Sequence, residues 1–381
     1  MILNLKTNQI APALLGLALP LSLLISNYLF AITAIMLIIQ SPRRDKFNWL
    51  ALVILSIPAL VPLLSVLLHK EAFNLSQLEV RTPFLVVAIL IGFFKIDFKQ
   101  LSKFKYGFVI GTTLATILLM ISSTTTLTYL DSTVLFDLSY ASLYIVISLI
   151  FLWYTDIEIK RNIKLIITVF LLVAISALGE LFFISAALLI SVSAIIVKGN
   201  PLQSKFAIAF VVLSSVIMLY KGANIQTIIS NYHLATEIKP TDKLGQWQCV
   251  LEIMKDNELL GVGFSKKDDL LQDCYHTKGM VNEENSGFNS HNEYLDFFLT
   301  FGYIGLMLIA IYFLKASFVA YDNKQVAHLL IVILIGLFCL IENVFTRQKG
   351  VMITSITYLM IFSARDASAG KKKRTTVDYY S

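Results

Sequence analysis

The chain has 381 residues and a formal net charge of +6, is 57% hydrophobic and only 15% charged, and has a mean hydropathy of +0.74. Soluble domains carry about 25% charged residues. A shortfall of this size, spread over many apolar runs, excludes a large soluble core and points to a polytopic membrane protein; three cysteines are too few for a disulfide framework.

In chain order the apolar runs predict twelve spans, at roughly 9–23, 25–40, 48–68, 81–95, 105–122, 138–154, 164–178, 180–198, 205–221, 293–314, 325–344 and 349–364. The first follows one early lysine and has no small-residue cleavage site, so it reads as a membrane helix and not as a removed signal peptide. Residues 164–198 could also form one long helix, which would invert every later segment. Positive charge decides between the two. With both termini cytoplasmic and residues 164–198 split, the inner segments hold 20 of the 31 Lys and Arg, and the short outer loops hold only Lys70, Arg81, Arg347 and Lys349. A basic balance sorted in this way argues against nucleic acid as a partner. The expected organisation is spans one to nine over 1–221, one large periplasmic loop over 222–292, three further spans over 293–364 and a basic cytoplasmic tail over 365–381. The fold class is an all-α integral membrane protein.

A loop of some 70 residues is uncommon unless it has structure or function of its own. In TDKLGQWQCVLEIMKDNELLGVGF, Leu244, Trp247, Val250, Leu251 and Met254 recur at intervals of three and four, which predicts an amphipathic helix. It should end at Asp256-Asn257, with a tight turn at Gly261-Val262-Gly263. Such a helix lies on the membrane surface or roofs a cavity, with Trp247 as its interfacial anchor. The polar stretch from Lys266 to Ser290 is expected to be a mobile flap over a cavity entered from the lipid side. Cys249 and Cys274 both fall in this loop, where they could pair in an oxidising compartment or remain two thiols.

The loop ends in Ser290-His291-Asn292-Glu293, a match to the capping box in which Ser290 is the N-cap and Glu293 reaches back to its amide. His291 would then occupy the first helical turn. The positive end of the helix dipole should keep its ring neutral and able to accept a proton, and the free amides there attract anions such as phosphate. Gly302 and Gly305, further along the same helix, would let a neighbouring helix approach closely. The same residues also fit a plain solvated cap with packing glycines.

His291-Asn292, nine residues, Gly302, two residues, Gly305 resembles the His-[Asn/Ser/Gln]-x9-Gly-x-x-Gly signature of bacterial O-antigen ligases, part of a wider O-antigen ligase and polymerase family. The Trp247 helix leading to LLGVGF, the large outer loop, the twelve spans and IENVFTRQKG at 341–350 are similar as well. The resemblance implies a GT-C-like membrane glycosyltransferase in the bacterial inner membrane. It would move a glycan from undecaprenyl diphosphate to a hydroxyl of the lipid A core at the periplasmic face, with no metal or other cofactor. His291 takes the family's catalytic histidine role. The basic residues carry over less cleanly: Lys243 stands where the family usually has an arginine, and Ser176-Ala-Leu-Gly-Glu180 replaces a Ser-Arg. Lysine binds phosphate as a point charge without the guanidinium fork. The outer-face arginines Arg81 and Arg347 are therefore diphosphate candidates beside Lys243, set against ordinary interfacial snorkelling. Asn292, Glu293, Trp247, Gly302, Gly305 and Glu342 are expected to support the site. Glu180 and Asp296 are further acids at span ends.

Three other readings compete. A polymerase of lipid-linked repeat units, or a ligase acting on a protein, shares the motif. A transporter predicts matched broken spans in two halves and midplane charge, and the sequence has neither. A zinc or metal-dependent site lacks Asp-x-Asp on the outer face, and Cys274-Tyr275-His276 with His291 is too loosely spaced.

Overall fold

A computed structural model describes residues 7–71, 75–124, 138–178, 180–198 and 243–377. Among these the chain is helical throughout, with one isolated β-bridge between Arg43 and Phe94. Among the described residues, five helical stretches are long and apolar enough to cross a membrane: Leu23–Gln40, Trp49–His69, Phe98–Ile121 (a short helix followed by a longer one), Arg161–Leu178 and Glu293–Asp322. Shorter apolar helices accompany them. The span expected at 205–221 lies outside the described residues.

The chain forms two compact units, one of residues 1–108 with 242–381 and one of residues 109–241. In the second unit, α7 (Leu138–Tyr154), α8 (Arg161–Leu178) and α9 (Leu181–Lys198) pack together. The region 164–198 is thus two helices. Side-chain hydrogen bonds tie them: the Trp153 indole donates to Thr168 Oγ1 at 2.9 Å, and Tyr154 and Ser193 share a hydrogen bond of 2.6 Å. Ser139 donates to Glu180 at 3.3 Å, so this acid is engaged within its own unit.

The first unit begins with α1 (Thr7–Ala18), α2 (Leu23–Gln40), α3 (Trp49–His69), α4 (Leu75–Phe93), α5 (Phe98–Leu101) and the start of α6 (Phe104–Thr124). Asn48 caps α3 by accepting from the Ala51 amide at 3.2 Å, and Lys70 ends it in the left-handed region. Helix α4 starts at Leu75, so Arg81 and Pro83 lie inside it and not in its first turn.

The unit continues with α10 (Lys243–Met254), α11 (Lys267–Thr277), α12 (Val281–Asn285), α13 (Glu293–Asp322), α14 (Val326–Phe338), a 3-10 turn (Val344–Thr346) and α15 (Gln348–Val377). Two helices therefore occupy the stretch expected to be a mobile flap. A small apolar cluster holds the first of them: Cys249, Val250 and Met254 of α10 meet Leu271 and Tyr275 of α11, and Phe298 and Leu299 of α13. A Cys249–Cys274 disulfide joins α10 to α11. Helix α10 buries Gly245, Gln246, Cys249, Val250 and Met254, whereas Leu244 and Leu251 stay exposed. The buried face is thus turned from the one that the apolar spacing predicts, because the disulfide and α11 claim the Cys249 side.

Helix α13 is broken. Gly302 has φ 61° and ψ −146°, a conformation open at low cost to glycine alone. The break frees carbonyls in the middle of an apolar helix, and the turn after α10 satisfies them. Val262 N donates to Leu299 O at 2.9 Å, Gly263 N to Thr300 O at 3.2 Å, and Tyr303 N to Glu258 O at 2.8 Å. What approaches Gly302 is therefore this turn and not a neighbouring helix. A Cβ on Gly302 would stand 2.2 Å from Glu258 O, and one on Gly305 would stand 2.0 Å from Phe297 O of the same helix.

Candidate active site

The backbone around His291 differs from the capping-box expectation. Asn292 is the N-cap of α13, its Oδ1 accepting from Tyr294 N at 3.0 Å and Leu295 N at 3.1 Å. Ser290 Oγ donates to Asn292 O instead, and Glu293, the first helical residue, turns its carboxylate to the Phe345 amide at 2.8 Å. Ser290 and Asn292 are both good cap formers, and only the position of Phe345 selects between them. His291 therefore sits one residue outside the helix, with φ 44°. This region is uncommon for a side-chain-bearing residue, although histidine is enriched there. Three contacts hold it: His291 N donates to Asn289 Oδ1 at 3.0 Å, Trp247 Nε1 donates to Ser290 O at 3.2 Å, and the Phe288 ring stands edge-on at 5.2 Å. Trp247 thus ties α10 to the histidine turn, a different task from anchoring at an interface.

The first-turn amides of α13 are also spoken for. Glu293 N donates to Cys339 O at 2.8 Å and Asp296 N to Asn292 O at 2.9 Å, while Asn292 covers the other two. Two acids, Glu293 and Asp296, stand in that turn. The anion site expected at this helix start is therefore closed, since its donors are filled.

Beyond α14 the chain turns back at Cys339–Asn343, six residues before the predicted end of that span. This turn presents Glu342, whose Oε2 lies 3.4 Å from His291 Nδ1 while its Oε1 accepts from Asn343 N at 3.0 Å. The side chains are 14% and 11% exposed, enough for a ring edge to meet a substrate. Exposed Arg347 follows the 3-10 turn and its charge acts on Glu342. Lys243 comes to the same turn and donates to Ile341 O at 3.0 Å. The structure thus brings together His291, Glu342, Arg347, Lys243, Trp247, Asn292 and Glu293.

Arg81 behaves differently from the expectation. It is 1% exposed, with its guanidinium 5.2 Å from the Phe264 ring centre and under the influence of Glu293, Asp296 and Asp268. A side chain buried in this way has no surface for a diphosphate. Lys267, indistinguishable from Lys266 by local pattern, forms a buried ion pair with Asp296 at 2.5 and 2.6 Å and lies 4.5 Å from the same ring. Glu71, also unmarked in the sequence, accepts from Ser65 Oγ at 2.7 Å and from the Phe264 and Ser265 amides at 3.1 and 3.2 Å. It pins the turn that plugs the α13 break.

On the opposite side of α4, a groove of about 560 Å³ runs between α2, α4 and the start of α15. Phe30, Ala34, Ile35, Ile38, Val86 and Met352 line its apolar length. One end is polar, where Gln348 Nε2 donates to Asn27 Oδ1 at 3.0 Å beside Glu79.

No curated protein gives a significant match to the chain. Residues 130–310 match the family model described as O-antigen ligase, a stretch that contains α10, His291 and the Gly302–Gly305 pair and excludes Arg81, Glu342 and Arg347. Over residues 130–310 the chain is similar to the O-antigen ligase family, and that stretch carries the histidine turn and the glycine-broken apolar helix.

Proposed function

We propose that the protein transfers a glycan from undecaprenyl diphosphate to a hydroxyl of lipid A core oligosaccharide at the periplasmic face of the bacterial inner membrane. The observation that carries the reading is the His291–Glu342 pair. With Nδ1–H directed at Glu342 Oε2, the lone pair of Nε2 is left to receive a proton. A contact of 3.4 Å is long, as catalytic hydrogen bonds often are before substrate tightens them. The acceptor hydroxyl attacks the sugar C1, its proton passes to His291, and the diphosphate departs with its electron pair. Inversion at C1 follows from a single displacement, and no metal enters the scheme.

Arg347 is the residue we assign to the departing diphosphate, because it is exposed and close to the pair. Lys243 adds a second positive charge at the same turn, although its ammonium already serves Ile341 O. The apolar groove ends at Gln348, one residue beyond Arg347. That arrangement supports a donor with a long hydrocarbon tail and a charged head. Insertion of the apolar helices in that membrane, with 222–292 as the periplasmic loop, completes the reading.

The test is glycan transfer in proteoliposomes supplied with undecaprenyl-diphosphate-linked glycan and lipid A core, comparing wild type with His291→Ala. Transfer to the core, lost in the inserted and folded variant, supports a ligase with a chemical role for His291. Lengthening of the lipid-linked chain with no core product would assign the protein to polymerisation. Equal transfer by wild type and His291→Ala would remove the histidine from the chemistry.

A further inference from the structure

Three successive carbonyls lead into His291, and a side chain from the loop helices holds each one. Gln272 Nε2 of α11 donates to Phe288 O at 3.0 Å, Tyr275 Oη of α11 donates to Asn289 O at 3.4 Å, and Trp247 Nε1 of α10 donates to Ser290 O at 3.2 Å. The segment held in this way is the one that grips the histidine: Asn289 Oδ1 accepts from His291 N, and the Phe288 ring stands edge-on to the imidazole. The donors form one unit, because the Cys249–Cys274 disulfide joins the two helices beside them. Cys249 lies two residues after Trp247, and Cys274 lies between Gln272 and Tyr275. The Lys267–Asp296 ion pair and the apolar contacts of Leu271 and Tyr275 seat α11 on α13. His291 itself precedes the N-cap of α13, so the helix does not fix its backbone, and a φ of 44° persists only where the surroundings over-determine it. Gln272 contributes to this at a cost, since its Oε1 is buried without a partner.

We propose that Gln272 and Tyr275 are positioning residues: with Trp247, and locked to it by the Cys249–Cys274 disulfide, they hold the carbonyls of residues 288–290 and so fix the turn that sets His291 against Glu342. The proposal rests on the transfer reading for the role of that pair, and the clamp itself is a matter of geometry. Helix α11 then supports the histidine from the loop side, and the disulfide keeps all three donors in register.

The test compares full-length wild type with Gln272→Met, Tyr275→Phe, their double variant and Cys249→Ser/Cys274→Ser, in the same transfer assay, in thermal unfolding and in hydrogen exchange of the His291 amide. Gln272→Met keeps the side-chain shape and removes the unsatisfied oxygen, and Tyr275→Phe keeps its ring in the apolar cluster. Each should therefore melt within about 4 °C of wild type, which keeps the test open if the cysteine variant fails to fold. Each should lower kcat about tenfold, and the double variant about 10²-fold, through misplacement of the histidine, with the donor KM within about twofold. Exchange at the His291 amide should rise about tenfold in the double variant. The cysteine variant should change kcat and exchange in the same direction and cost more melting temperature, because it frees α11 from α10. A double variant with kcat within about twofold of wild type would overturn the proposal. So would a loss of kcat that follows melting temperature while the His291 amide exchanges as in wild type, which would make α11 a structural element alone. If wild type transfers nothing but the double variant melts near wild type and opens the His291 amide to exchange, the clamp stands and the transfer reading fails.

Discussion

Replacing Gly302 with alanine should unseat the turn that plugs helix α13. The residue has φ 61° and ψ −146°, and a Cβ there would stand 2.2 Å from Glu258 O, 2.4 Å from Leu259 C and 2.5 Å from Leu259 O. All three are backbone atoms of a segment fixed by its own hydrogen bonds, so none can swing aside as a side chain would. The backbone strain alone costs about 1–3 kcal/mol, and forcing a methyl group into a packed site adds a further 1–3 kcal/mol or so. If the turn lifts away to relieve this, the carbonyls of Leu299 and Thr300 lose their donors Val262 N and Gly263 N inside an apolar helix. Each unsatisfied group then costs about 1–3 kcal/mol. The variant thus relaxes by whichever route is cheaper, and the expected net loss is about 4 kcal/mol. At about 2–4 °C per kcal/mol for a unit of this size, the apparent melting temperature should fall by roughly 10 °C. Thermal unfolding of the purified protein in detergent measures the first effect, and amide hydrogen exchange at Val262 and Gly263 measures the second. Gly287→Ala is the control, since that glycine also has positive φ, at 60°, but no atom within 4 Å of the added Cβ. A Gly302→Ala protein that melts with the wild type and keeps both amides protected would refute the reasoning.

Two further outcomes are expected. Arg347→Ala should raise the donor KM about tenfold and change kcat less, as removal of an exposed phosphate contact does; steady-state transfer kinetics over a donor titration check this, and an unchanged KM would take Arg347 off the diphosphate. Glu71 should give the protein an acid-sensitive latch. Its partial burial pushes its carboxyl up, but the bonds from Ser65 Oγ and from the Ser265 amide outweigh that and hold it below its ordinary value of 4.5. A depressed carboxyl stabilises the fold above its unfolded value and loses that contribution as pH falls through the folded one. Melting temperature should therefore decline as pH drops below 4.5, and Glu71→Gln should flatten that part of the profile; identical acid limbs for the two proteins would show that Glu71 contributes nothing.

Much of the fold was legible in the sequence because hydrophobic runs and caps are local quantities. The split of 164–198 into Arg161–Leu178 and Leu181–Lys198 was already implied by the Lys and Arg distribution. The helix before the Gly261–Gly263 turn appears as Lys243–Met254 and ends just short of the expected stop at Asp256-Asn257. The Lys266–Ser290 stretch was misread because its helices are polar, and what orders them is a disulfide and a seven-residue apolar cluster drawn from three separate helices. Cys249 and Cys274 lie 25 residues apart, and no spacing rule says that they meet.

In the site, local chemistry fixed the residue types and tertiary contacts fixed their roles. The sequence by itself determined that a histidine would stand at a helix start after a long polar segment, with two glycines downstream. It could not choose between Ser290 and Asn292 as cap, since both side chains can accept from the same amides; the Phe345 amide, 52 residues away, drew Glu293 off and settled it. Nor could it tell an arginine at an apolar helix start from one sealed inside. Hydropathy registers that Arg81 is flanked by apolar residues, whereas its surroundings depend on Phe264 and three carboxylates arriving from elsewhere in the chain. The glycines were read as places where a neighbouring helix approaches, but the approaching partner is a turn for Gly302 and the helix's own carbonyl for Gly305. A missing Cβ records that space is needed, and only the folded chain decides what fills it.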